Sequence, residues 1–243
     1  PTTIDDIAIE QTKSLDPDLI IVVAYGIILP TQFLDIPKYG CINIHVSLLP
    51  RWRGAAPVEH SLLAGDVKTG ISIIKIASKL DAGDILIQES FSIDRNMYSD
   101  DLTSALTNLG KITMIKTLPL FFENKIIGKK QDENKVTYAN KFLTKDRKIN
   151  FHNSSEEVYN HIRAHGPKPG SWFTYKGERI KIIKAKKTNE LGQSSTILNK
   201  DFMIACKDGS ILPTLIQREG KKTVSLDDFL RGFSFLIQDK LNA

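Results

Sequence analysis

Leu19-Ile20-Ile21-Val22-Val23-Ala24 is an unbroken apolar run closed by Tyr25-Gly26. A membrane helix needs roughly three times that length, and a half-exposed strand would alternate apolar with polar residues. The run therefore reads as a strand buried on both faces, as in a parallel sheet covered by helices. Residues 28–40 read as a loop and a short helix, and Cys41 to Val46 as the next strand. Pro57 to Ala64 reads as a helix, with Pro57 in its first turn and Gly65 just past its end. Residues 70–76 and 85–93 read as further strands. Asp100 or Asp101 can cap a long helix in which Leu102, Leu106, Leu109, Ile112 and Ile115 recur at helical spacing. Strands alternating with helices imply an α/β sheet domain.

The character changes at residue 123. ENKIIGKKQDENKVTYAN is charged and lacks apolar period, and it reads as a linker over 124–140 between a first domain (1–123) and a second (141–243). The second opens with a helix near 154–164 that Ser154 or Ser155 can cap. Short segments separated by turns such as Lys176-Gly177 and Asp208-Gly209 then suggest a small antiparallel barrel. Residues 227–233 read as a closing helix. The opening residues read as a polar, acidic segment leading into the first strand.

Charge is divided along the same lines. The net charge is +5, yet residues 125–222 carry 21 Lys+Arg against 10 Asp+Glu, and the rest carries 12 against 18. A basic half can bind a polyanion such as nucleic acid, or it can be a lysine-rich solvated surface. Cys41 and Cys206 are the only cysteines, which suits a reducing compartment and excludes a four-cysteine zinc site. With no secretory pattern and no run of about 18 apolar residues, the chain is expected in the cytoplasm, away from the membrane.

The stretch NIHVSLLPRWRGAAP, residues 43–57, concentrates the chemistry. Asn43 and His45 are two apart on a strand and leave it on one face. At the carboxyl end of a parallel strand, that face meets the usual ligand crevice of an α/β sheet. An amide can donate to a developing oxyanion, and an imidazole can donate a hydrogen bond or carry a proton. Leu80-Asp81-Ala82-Gly83-Asp84 supplies two carboxylates in a loop after the third strand. Singly, each also has a plain structural reading: an edge hydrogen bond for Asn43, a core histidine for His45, loop capping for Asp81 and Asp84. Trp52 reads equally as a packed side chain or a stacking platform.

In order and spacing, NIHVSLLPRWRGAAP, AGD at 64–66, TGISI at 69–73 and LDAGDIL at 80–86 resemble the methionyl-tRNA formyltransferases, within the wider folate-dependent formyltransferases. VVAYGIILP at 22–30 and RAHGPKPGSW at 163–172 extend the resemblance over essentially the whole chain. Gly166 stands where the family pattern usually has Asn. The resemblance implies a Rossmann-like parallel-sheet catalytic domain followed by an OB-like β-barrel that contacts tRNA. It implies 10-formyltetrahydrofolate as donor, the α-amino group of initiator methionyl-tRNA as acceptor, no metal, and a monomer. By the same analogy Asn43 and His45 stabilise the oxyanion and assist proton transfer, and Asp81 sets the state of His45. Tyr25, Gly26, Ile28, Ser47, Leu48, Leu49, Pro50 and Asp84 would line the folate site. Arg51, Arg53, Lys129, Lys130, Lys181, Lys184 and Lys186 would meet tRNA phosphates, which strengthens binding without reading sequence.

Family members also carry a Gly-Thr-Pro-type turn and further sheet strands ahead of the Leu19 position, and none precedes it here. The chain is therefore expected to be an N-terminally incomplete version, poorly active alone, because a central strand without neighbours leaves backbone groups unpaired. Two alternatives remain at this level. One is another reaction of the same fold: hydrolysis of 10-formyltetrahydrofolate, or formyl transfer to an amino sugar or purine precursor. The other is an inactive, truncated tRNA-binding module.

Overall fold

A computed structural model describes residues 3–241. The chain packs as two compact units. One comprises the stretch ending at Val58, Val67–Ile93 and Thr103–Lys141; the other comprises Glu59–Asp66, Asp94–Leu102 and the chain from Phe142 onward.

The first unit begins with a helix that sequence patterning missed, α1 (Asp6–Ser14). Asp5 caps it by accepting a hydrogen bond from the Ala8 N–H at 2.8 Å. Strand β1 (Ile20–Val23), helix α2 (Thr31–Leu34) and strand β2 (Cys41–His45) come next, then the two-residue β3 (Arg53–Gly54). Helix α3 (Pro57–Leu63), which from Glu59 onward belongs to the second unit, leads to β4 (Lys68–Lys75) and β5 (Ile85–Ser92). After the long helix α4 (Ser99–Phe122) comes the two-residue β6 (Tyr138–Ala139).

The sheet order is β1-β2-β4-β5. Only β1 and β2 run parallel; β4 is antiparallel to both β2 and β5. The expected parallel sheet is thus a mixed one, parallel at β1–β2 and antiparallel beyond. β1 is not buried on both faces either. It ends the sheet among the described residues, with Ile21 42% and Val23 58% exposed. The buried strands are β2 and β4, where Ile42, Ile71, Ile73 and Ile74 are at most 1% exposed.

Helix α4 buries a different stripe from the one its leucines and isoleucines suggest. Leu102 and Leu106 are buried as expected, but Ile112 and Ile115 face outward, and Thr113, Met114, Thr117 and Phe121 take the inner positions. Gly110 allows the close approach behind this rotation, because a Cβ there would stand 2.9 Å from the Ile44 side chain of β2. The helix thereby braces the strand that carries Asn43 and His45.

In the second unit, α5 (Ser155–His165) has a capping box. Ser154 accepts from the Glu157 N–H, and the Glu157 carboxylate accepts from the Ser154 N–H. Strands β7 (Ser171–Tyr175), β8 (Glu178–Thr188), β9 (Ile204–Ala205), β10 (Ser210–Arg218) and β11 (Thr223–Ser225) precede α6 (Leu226–Arg231). The sheet order is β11-β10-β8-β7, with β9 also on β10, and every pairing is antiparallel. Among the described residues no pairing joins β7 to β11, so this is an open antiparallel sheet where a closed barrel was expected. Its core is aromatic and aliphatic: Phe151, Phe173 and Phe202 are fully buried with Ile180, Ile182 and Ile211. No helix among the described residues is long and apolar enough to cross a membrane.

Candidate active site

β2 pairs Asn43 with Val22 of β1 and with Ile74 of β4, and His45 with Ser72 of β4. Both side chains leave the strand on one face, as the two-residue period requires. His45 is 5% exposed. The carboxylate of Asp81 comes to both: its Oδ1 stands 3.5 Å from Asn43 Nδ2, and its Oδ2 stands 3.5 Å from His45 Nδ1. Asp81 has φ +47°, in the left-handed region that Asp tolerates better than most residues. Its Oδ2 also accepts the Gly54 N–H at 2.9 Å, which fixes the carboxylate from outside the pair.

The other ring nitrogen of His45, Nε2, lies 2.8 Å from the Trp52 carbonyl oxygen. A carbonyl only accepts, so Nε2 carries a proton. Nδ1 is the ring nitrogen that faces the Asp81 carboxylate. The Asn43 amide has a second N–H beyond the one aimed at Asp81 and can give it to an oxyanion. One wall thus offers a neutral donor, an imidazole of fixed orientation and a carboxylate.

The loop after β2 is held as firmly. Ser47 Oγ donates to the Arg51 carbonyl at 2.6 Å. The fully buried Ser72 hydroxyl donates to the Ser47 carbonyl at 2.7 Å and accepts the Leu49 N–H at 3.0 Å. Gln88 of β5 donates to both Ser72 Oγ and the Leu49 carbonyl at 2.9 Å. Ser47 and Leu49 are buried, Leu48 and Pro50 half-buried, so this part of the expected folate wall is a fixed surface. Tyr25, Gly26 and Ile28 are exposed, Ile28 by 70%. Asp84 is half-buried, its side chain against Gly128, and its carbonyl accepts the Lys75 N–H.

The two arginines of the loop part company. Arg51 is exposed and stacks its guanidinium 4.1 Å from the centre of the Trp52 ring. Arg53, expected at tRNA phosphates, is 2% exposed and turned inward. Its Nε and Nη2 donate to Gln131 Oε1 at 3.0 and 2.8 Å, and Nη2 donates to Glu133 Oε1 at 2.8 Å. The guanidinium holds the Glu133 carboxyl below its ordinary range. A buried cation needs such partners, and these remove it from any surface role. Lys129 and Lys130 are exposed, as are Lys184 and Lys186 of β8, while Lys181 is half-buried.

Gln131, Thr137, Ser72 and Gln88 were not expected from sequence. The first two lie in the stretch read as a linker, which is instead knitted into the site: Lys129 exchanges both backbone hydrogen bonds with Ile85, and β6 pairs in parallel with β3. The faint signal was the Val-Thr-Tyr-Ala sequence at 136–139. Among the described residues, no group of three or more His, Cys, Asp or Glu side chains could hold a metal ion.

Comparison with known proteins matches residues 2–118 to the formyl transferase model and residues 141–234 to the formyl transferase C-terminal domain. The methionyl-tRNA formyltransferase of Ehrlichia canis (strain Jake) is 39% identical over 231 residues, covering 93% of this chain and 74% of its own length. HypX from Aquifex aeolicus, solved with tetrahydrofolic acid, shares the fold with a TM-score of 0.72 at 19% identity over 93% of this chain; this chain spans only 41% of that one. The N-formyltransferase from Helicobacter canadensis, solved with folinic acid and dTDP-3-aminofucose, has a TM-score of 0.64 and 26% identity, covering 80% of this chain and 71% of its own. The chain belongs to the formyl transferase family.

Proposed function

We propose that this chain transfers the formyl group of 10-formyltetrahydrofolate to the α-amino group of initiator methionyl-tRNA. The observation that carries the reading is the convergence of Asn43, His45 and Asp81 on one wall of a formyl transferase fold. The relative at 39% identity supports the acceptor, and the neighbour solved with folinic acid supports a folate donor.

The amine attacks the formyl carbonyl and builds a tetrahedral oxyanion. Asn43 gives its spare N–H to that oxygen as charge develops. The attacking nitrogen must shed a proton. His45 Nδ1 takes it, and the Asp81 carboxylate holds the resulting cation without leaving the Gly54 N–H. As the carbonyl re-forms, the His45 imidazolium returns that proton to the folate nitrogen, which departs as the neutral amine and leaves His45 neutral. Tyr25, Gly26, Ile28, Ser47, Leu48, Leu49, Pro50 and Asp84 form the folate site. Arg51, Lys129, Lys130, Lys181, Lys184 and Lys186 receive the tRNA backbone; Arg53 does not. Residues 1–123 bear the chemistry, 141–243 bind tRNA, and the protein acts as a cytoplasmic monomer.

The test supplies 10-formyltetrahydrofolate with methionyl initiator tRNA, a dTDP-amino sugar, or water alone, and follows formylated product and free tetrahydrofolate. Formyl-methionyl-tRNA as the dominant product is expected. Release of formate with no tRNA product, or preference for the sugar, would sink the reading.

A further inference from the structure

The stretch 129–139 holds the site from a direction that neither β2 nor its loop supplies. Gln131 is its central residue. Its Oε1 accepts from the buried Arg53 guanidinium, and its Nε2 donates to the Asp81 carbonyl at 2.7 Å and the Gly83 carbonyl at 2.8 Å. Residues 52–54 are tied to the same stretch: the Trp52 N–H to Thr137 Oγ1 at 2.9 Å, the Arg53 N–H to the Thr137 carbonyl at 2.8 Å. Residues 52–54 then meet the catalytic groups from the other side, through the Trp52 carbonyl on His45 and the Gly54 N–H on Asp81. Both backbone contacts that orient the reacting side chains thus hang on 131–137.

We propose that Gln131 is a positioning residue for formyl transfer: its amide nitrogen holds the left-handed turn at Asp81 in register with His45, and Arg53 fixes the amide's orientation. This rests on the function proposed above. The two N–H donations are what hold the 81 and 83 carbonyls, and without them a turn with Asp81 at φ +47° has a ready reason to relax. Nothing in Gln131 touches the reacting atoms; it acts through Asp81.

Gln131→Glu separates the two halves of the link. A carboxylate still accepts from Arg53, with a charge added to the bond, but it meets the 81 and 83 carbonyls with oxygen where a donor is needed. The expected result is a kcat lower by about 10- to 100-fold with KM for both substrates near wild type. Amide exchange should show lost protection at Gly54, whose partner is the Asp81 carboxylate, and retained protection at Arg53, whose partner is the Thr137 carbonyl. Gln131→Met, which lacks both halves without adding charge, should reproduce the loss. Wild-type kcat and Gly54 protection in Gln131→Glu would overturn the proposal, as would unfolding of both variants, which would make Gln131 a residue of fold alone. If the wild-type chain transfers no formyl group, the functional reading fails, and Gly54 exchange still decides whether Gln131 holds the turn.

Discussion

The loop from Ser47 to Gly54 and the segment from Tyr25 to Ile28 both carry residues expected at the folate, and they are built in opposite ways. The loop is pinned at nearly every residue. Ser72 and Gln88 hold its first half, Thr137 its second, and the buried Arg53 anchors it to 131–133. The segment is an exposed turn, with Tyr25, Ile27 and Ile28 all at least 36% exposed. The difference separates two tasks. Groups that act on a developing charge gain from being fixed before the reaction, since no reorganisation is then needed. A surface that takes up a large flat ligand gains from apolar area, and an exposed apolar stretch supplies it. Substitutions in the loop should therefore damage rate and stability together, and those in the segment should damage binding alone.

The largest expected effect is at the chemistry. Asn43→Ala should lower kcat by about 10²- to 10³-fold, the usual cost of an oxyanion donor, with folate affinity little changed; steady-state kinetics on both substrates reads the split. Next comes the loop's foundation. Ser72→Ala leaves the buried Leu49 N–H and Ser47 carbonyl without the hydroxyl, and should cost about 1–3 kcal/mol in urea unfolding. Gly54→Ala should fall in the same range of about 1–3 kcal/mol. Gly54 has φ +121°, and a Cβ there would stand 2.8 Å from the Ala139 carbonyl oxygen. A matching fall in kcat would tie the pairing of β3 and β6 to activity. In the segment, Ile28→Ser should move stability by no more than about 0.5 kcal/mol while raising KM for the folate. Equal stability losses at Ser72 and Ile28 would erase the contrast.

Much of the site was readable because strand parity is a strict rule: two residues apart on one strand share a face, and Asn43 and His45 do. The approach of Asp81, 38 residues from Asn43, was not a matter of spacing. It entered by resemblance, since a turn's destination depends on tertiary packing that no local pattern encodes. Arg53 was misread, and Gln131 passed over, for a related reason. A charged residue in a polar stretch reads as solvated, and only the fold reveals that one guanidinium finds enough acceptors to be buried. The β1 run was read correctly as a strand, but its apolar composition could not say which neighbours cover it. In α4 the error was one of angle, because Gly110 and the buried threonines draw the inner face away from Ile112 and Ile115.

Formyl transfer by one wall, formed by Asn43, His45 and Asp81, is the centre of the proposed function. Single-turnover transfer from 10-formyltetrahydrofolate to methionyl initiator tRNA, with enzyme in excess, tests it most directly when wild type is set against His45→Ala. The predicted result is a rate lower by at least about 10²-fold in the variant, with unchanged affinity for both substrates. A variant that transfers at the wild-type rate, or that loses rate only through weaker tRNA binding, would contradict it.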